Sequence, residues 1–220
     1  MLFVWLFYWA QSLFTTQLNH LGILPRKIVG LVGIVFSPLL HDQENINHIL
    51  NNSIPIYLLT LCLFYFHSKN AKKIFILNWV LTGALTWIIA PYEGIYHIGM
   101  SGVIYALITY LFITSSSSKN RQLQALSLLI VIVYGSLIWG IFPMDIHISW
   151  ESHLSGVISG TLLSIIYKVN KPITQVEIKH ITAEKKIAKQ IIEIQKMHNE
   201  NKSHIIKYNY IKKENDSKED

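Results

Sequence analysis

Apolar residues fall into blocks of 14 to 20 along the first three quarters of the chain, separated by short polar or glycine- and proline-rich breaks. A membrane-crossing helix needs about 20 mostly apolar residues. On that measure the pattern predicts spans at Met1–Leu18, Ile49–His67, Ile74–Ala90, Leu123–Phe142 and Glu151–Tyr167, with a short additional one at Ser101–Thr114. The first block has no basic n-region and no small-x-small cleavage site, so it reads as a retained span rather than a removed signal. Between the first and second spans lies a connector, Asn19–Asn47, that includes "GILPRKIVGLVGIVFSPLLH". Gly22, Pro25, Gly30, Gly33 and Pro38 interrupt it too often for a clean span, and an element at or partly in the membrane interface is expected.

Charge adds an orientation. Lys69, Lys72 and Lys73 follow the second span, Lys119 and Arg121 the fourth, and Lys168 and Lys171 the sixth. With six spans these sites share one side. The other side receives Arg26, Lys27 and the acidic residues Asp42, Glu44, Glu93, Asp145 and Glu151. The positive-inside rule then places both termini in the cytoplasm. The charge density also breaks at Lys168: residues 1–167 hold seven Lys/Arg and five Asp/Glu, whereas the last 53 hold twelve Lys and eight Asp/Glu. The reading is therefore a 1–167 membrane domain followed by a polar basic tail, 168–220. In the tail Ile181, Ile187, Ile191 and Ile194 recur at nearly helical spacing, which fits an amphipathic helix before a disordered end. The basic excess suits an anionic membrane surface better than nucleic acid, because no arginine-rich or aromatic motif accompanies it.

Several chemistries lose support. No acidic residue falls in the middle of a span, as a membrane aspartyl protease or a proton-coupled transporter would require. HExxH is absent, and so are CxxC pairs; the single Cys62 sits in an apolar run and reads as a small buried or lipid-facing residue.

The fourth span is the anomaly. From Ser101 to Thr114 it rises only about 20 Å, against a hydrocarbon core of about 30 Å. If its far end reaches the cytoplasmic face, Ser101 starts a helix inside the membrane. The preceding "PYEGIYHIG" must then form a loop at membrane depth, tolerated only where protein buries it or water lines it. Free N–H groups at such a helix start can stabilise a developing oxyanion. Gly99 permits a strained approach to the helix, and Gly102 is expected to keep the space above the hydroxyl open.

A nucleophilic serine needs a base. His153 opens the sixth span in "HLSGVISG", with Gly156 and Gly160 on its own helical face. Small residues at that spacing let membrane helices approach closely, which would bring the imidazole to Ser101. Tyr105 lies four residues after Ser101 on the same face and could hold the ring by stacking. His48 and Asn52, again four apart, could both donate to one carbonyl oxygen; capping of the second span is their plain alternative. His20, His41, His67, His97 and His147 read as solvated or interfacial. Glu151, two residues before His153, is expected to turn away from it and face water.

The ordered set of His48 and Asn52, "GMSG" with Tyr105, and "HLSGVISG" resembles the rhomboid family of intramembrane serine proteases. The connector together with "NNSIP", "YGSLIWGIFP" and "SWESHLSG" is similar to a bacterial branch of it. The resemblance covers about residues 21–167. It implies an all-α membrane protein, a six-transmembrane-helix bundle whose short fourth helix starts inside the membrane, in a bacterial cytoplasmic membrane. It implies an endopeptidase that cuts membrane proteins in or near their transmembrane segments, without a cofactor, with Ser101 as nucleophile and His153 as base. His48, Asn52 and the backbone N–H groups of Ser101 and Met100 would form the oxyanion hole, and Tyr105 would pack on the base. The chain departs from the family pattern in carrying Met100 and Ser152 where smaller residues are frequent, and Pro25-Arg26 where some members have a tryptophan-arginine pair. The rival readings are a non-catalytic relative that binds client membrane proteins, which typically lacks the serine or the histidine, and a small transporter.

Overall fold

The computed structural model describes residues 2–13, 18–144, 148–167 and 183–200. They divide into two units, 1–170 and 171–220. In the first unit, helices α1 (Leu2–Leu13), α2 (Gly33–Phe36), α3 (Ile46–Phe66), α4 (Ala71–Ile89), α5 (Ser101–Ser116), α6 (Arg121–Tyr134) and α7 (Trp150–Ile166) follow in chain order, joined by 3₁₀ turns. No strand is present among the described residues; the nearest thing is one isolated bridge between Ile23 and His97.

Three stretches are long and apolar enough to cross a membrane: Ile46–Phe66, Ala71–Ile89 and Arg121–Ile141. The last is α6 continued by the 3₁₀ segment Gly135–Ile141. The expected second span begins earlier than its apolar run, because Asn45 caps α3 by accepting from the Asn47 N–H at 3.1 Å. This also corrects the capping alternative for His48 and Asn52, since Asn45 fills that role. The first expected span contains only the twelve-residue α1; Leu18 belongs to a separate 3₁₀ turn, and residues 14–17 lie outside the described set.

The connector folds as short turns strapped to α4. The Arg26 N–H donates to Trp87 O at 3.1 Å, the Arg26 guanidinium to Ala90 O at 3.0 Å, and the Trp87 indole to Lys27 O at 2.9 Å. The two Arg26 bonds give carbonyls at the end of α4 the partners a helix end lacks.

Helix α5 is the centre of this unit. It packs most extensively on α7 and also meets α3, α4 and α6. Val103, Ile104, Ala106, Leu107, Tyr110 and Leu111 are all buried on it. The α5–α7 seam is tight because its small residues leave no room for side chains. A Cβ on Gly156 would run into Gly102 O, and one on Gly160 into Ala106 O. Helix α4 packs on the other side of α7, where the Ser159 hydroxyl donates to Asn78 Oδ1 at 3.0 Å in a fully buried pair. By contrast α6 buries only Leu123, Leu126 and Ile130, leaving Leu128, Leu129, Ile132 and Val133 exposed. Apolar side chains with no protein partner on a span of this length are placed for lipid.

In the second unit residues 183–200 form a helix, α8, exposed throughout. Ile187, Ile191 and Ile194 are on it; Ile181 and the terminal "KENDSKED" lie outside the described residues.

Candidate active site

Helices α3, α5 and α7 begin at the same end of the first unit. There an open cavity of about 1750 Å³ is lined by His48, Asn52, Ser101 and His153, among others. Helix α5 starts at Ser101 itself, as the sequence anomaly predicts. At 16 residues it rises about 24 Å, short of the hydrocarbon core.

The turn before Ser101 needs its glycine. Gly99 has φ +108°, and a Cβ there would lie 2.7 Å from His48 Nε2. The Gly99 N–H donates to Ser37 O at 2.8 Å, fixing the turn to the connector. Met100 is 2% exposed and its side chain belongs to the apolar core, not to the cavity lining. Gly102 differs from its expected role. A Cβ there would meet the Ser152 hydroxyl at 2.5 Å and Thr82 Cγ2 at 2.9 Å. It serves the contact between α4, α5 and α7, not the space above the Ser101 hydroxyl.

Ser101 Oγ and His153 Nε2 are 2.8 Å apart. The other ring nitrogen, Nδ1, lies 2.8 Å from Gly140 O. A carbonyl oxygen can only accept, so Nδ1 carries the proton and Nε2 offers its lone pair to the serine hydroxyl. Tyr105 stacks on the imidazole with ring centroids 4.2 Å apart and planes 12° apart. Its hydroxyl donates to Leu137 O at 2.6 Å. Gly140 is thus a site residue that spacing arguments missed. A Cβ on it would overlap the Tyr105 hydroxyl and lie 3.1 Å from His153 Nδ1. The only hint was its place in "YGSLIWGIFP", since nothing local marks a carbonyl as an acceptor for a distant ring.

On the facing side, Asp42 N–H approaches His48 Nδ1 at 3.4 Å. This leaves the proton on Nε2, the atom turned toward Gly99. The Asn52 amide donates to His48 O at 3.0 Å and sits 3.2 Å from His41 Nε2. With both amide hydrogens so engaged, His41 Nε2 must accept, and His41 is neutral. The solvated reading of His41 is therefore wrong. It is fully buried, its ring lies edge-on to His48 at 5.0 Å, and burial, reinforced by the neighbouring His48, pulls its pKa down to about 4.

Two further expectations are corrected. His67 is buried, with Nδ1 3.0 Å from the Tyr110 hydroxyl, because the ends of α3, α5 and α7 close over it. Glu151 is 8% exposed and lines the cavity rather than facing bulk water. It is nonetheless not the partner of His153, whose Nδ1 is taken by Gly140. His97 is half-buried, with Nδ1 2.6 Å from the Ser149 hydroxyl; His147 lies outside the described residues.

A helical membrane chain with a serine–histidine pair at the start of a short central helix defines a narrow class. Comparison with known proteins names it. The rhomboid domain model matches residues 28–170, and the chain belongs to the rhomboid family of integral membrane proteins. Uncharacterised proteins of Mycobacterium bovis and Mycobacterium tuberculosis are 29% identical to it over 161 residues, 69% of this chain. The match spans 65% of the length of those relatives. A protein of Acanthamoeba polyphaga mimivirus, itself named as a rhomboid protein, is 30% identical over 135 residues, 59% of this chain and 72% of its own.

Proposed function

We propose that the protein is an intramembrane serine endopeptidase that cleaves membrane proteins in or near their transmembrane segments. The observation that carries this reading is the Ser101–His153 contact at 2.8 Å, in the tautomer a general base needs, at an open cavity. His153 Nε2 takes the Ser101 proton as Oγ bonds to the substrate carbonyl carbon. The resulting oxyanion accepts from His48 Nε2–H and the backbone N–H of Ser101, with that of Met100 beside it, and from the Asn52 amide once it turns one of its two hydrogens away from its present acceptor. His153 then protonates the amine as the C–N bond breaks. Water, deprotonated by His153, resolves the acyl-enzyme and frees Ser101. Tyr105 and Gly140 position the base; Gly99, Gly156 and Gly160 bring the helices close enough for the contact to form.

In this reading the first unit is a six-span domain, residues 1–167, of a bacterial cytoplasmic membrane with both termini in the cytoplasm. Residues 168–220 form a cytoplasmic tail. The site then opens to water on the non-cytoplasmic side.

The test is direct. Ser101→Ala and His153→Ala should each abolish cleavage of a model single-span substrate while the thermal melt stays that of the parent. A fluorophosphonate probe should label the parent at Ser101 and neither variant. Near-parental cleavage by either variant would falsify the assignment.

A further inference from the structure

Among the described residues, the charged side chains that line the cavity, histidines aside, are all acidic. Asp42 and Glu44 reach it from the connector, Glu93 from the loop between α4 and α5, and Glu151 from the first turn of α7. Among the described residues no lysine or arginine lines it. The two cations of the connector are engaged elsewhere: Arg26 on Ala90 O at 3.0 Å, and Lys27 over the Tyr92 ring at 4.6 Å. The carboxylates lie near two histidines of the cavity wall. Asp42 is within electrostatic reach of His48, and Glu93 and Glu151 of His97, four residues before Ser101. Glu44 and Glu93 are exposed at the rim, while Glu151 is buried deeper in.

We propose that this cavity selects membrane proteins carrying lysine or arginine in the flank next to the cut bond, and disfavours those carrying aspartate or glutamate there. The proposal rests on the protease reading above and names its substrate class. A cleft carrying one sign of charge raises the local concentration of opposite charge and repels its own sign. Like charges brought together at a docking surface act against the wrong partner more than opposite charges help the right one. Flanks on the non-cytoplasmic side are ordinarily poor in lysine and arginine, so the preference picks out a minority of membrane proteins. Each exposed carboxylate acts through water and contributes little; several together should separate a basic from an acidic flank by about tenfold, less as salt screens them.

The test uses the full chain in a non-ionic detergent and one single-span fusion protein made in three versions. Lysine, glutamine or glutamate stands at the same position a few residues outside the cut site. The expected order of kcat/KM is lysine, glutamine, glutamate, contracting severalfold when salt is raised. A variant carrying Glu44→Lys and Glu93→Lys, both exposed positions away from the dyad, leaves two carboxylates facing two lysines and should flatten that order. Equal rates on all three versions, or an order unchanged by the double variant, would overturn the selectivity and leave the protease reading standing. Absence of any cleavage beyond that of Ser101→Ala on all three would overturn both.

Discussion

At the residue scale, the partner of His153 Nδ1 decides how the proposed base is held. In a triad a carboxylate stands there; here it is the Gly140 carbonyl, 2.8 Å away. Gly140→Ala should push the Tyr105 hydroxyl and the imidazole apart and lower kcat by about 10², the usual cost of a small misplacement of a catalytic group, with a near-parental melt. Glu151→Gln should stay within a few-fold of the parent despite its burial, since its carboxylate is not the ring's partner. Asn52→Ala should cost about 10², the lower end for losing one oxyanion donor, with His48→Ala at least as damaging. Measuring these side by side on one substrate separates the arrangements: Glu151→Gln as inactive as His153→Ala, with Asn52→Ala unaffected, would require a triad. His41 adds a pH dependence. Its pKa is pulled down from 6.5 to about 4 in the fold. The stability it contributes is therefore complete above about pH 6.5 and lost as pH falls toward 4. Protonation also removes the acceptor that Asn52 uses. His41→Gln should melt lower than the parent at neutral pH and lose less than the parent does on acidification.

At the element scale, the α5–α7 seam is where sequence and structure agree most closely. Gly156 and Gly160 recur on one face with His153, and a four-residue spacing on a helix is geometry that the chain carries locally. The start of α5 at Ser101 was readable for the same reason: a glycine-flanked serine followed by an unbroken apolar run. The Gly140 carbonyl, the buried His41 and the true neighbour of Gly102 were not readable. Each depends on a backbone or side chain brought from more than ten residues away, and none leaves a periodic trace. The burial of Glu151 escaped for a related reason, since helical phase fixes its direction relative to His153 but not what the neighbouring loops cover. Gly156→Val places a branched side chain where Gly102 O and Tyr105 already sit. It should cost at least the 1–3 kcal/mol typical of overpacking and read as a lower Tm. A residual folded fraction should show slowed fluorophosphonate labelling of Ser101. An unchanged melt would mean that α5 and α7 do not meet as described.

At the scale of the whole molecule, the proposed catalytic domain ends before the tail. Deleting Ile178 to Asp220 should therefore preserve cleavage in detergent; complete loss in a well-folded truncation would give the tail a part in the site. The first unit also joins its chemistry to its surroundings by an unusual route. The carbonyl that aligns His153 and the one that receives the Tyr105 hydroxyl both belong to Gly135–Ile141, the last turns of the α6 span. That span keeps only three side chains buried in protein and offers the rest of its apolar surface to lipid. A thicker or thinner bilayer acts on such a helix by tilting or bending it. The displacement arrives at the imidazole, and also at Pro143 and Met144, which line the cavity just past the span. Bilayer thickness should consequently tune turnover: across vesicles of graded acyl length kcat should pass through a maximum, and a kcat that does not vary with acyl length would mean that the span does not transmit its tilt to the base. The proposed catalytic base is, in mechanical terms, mounted on the element that the membrane holds.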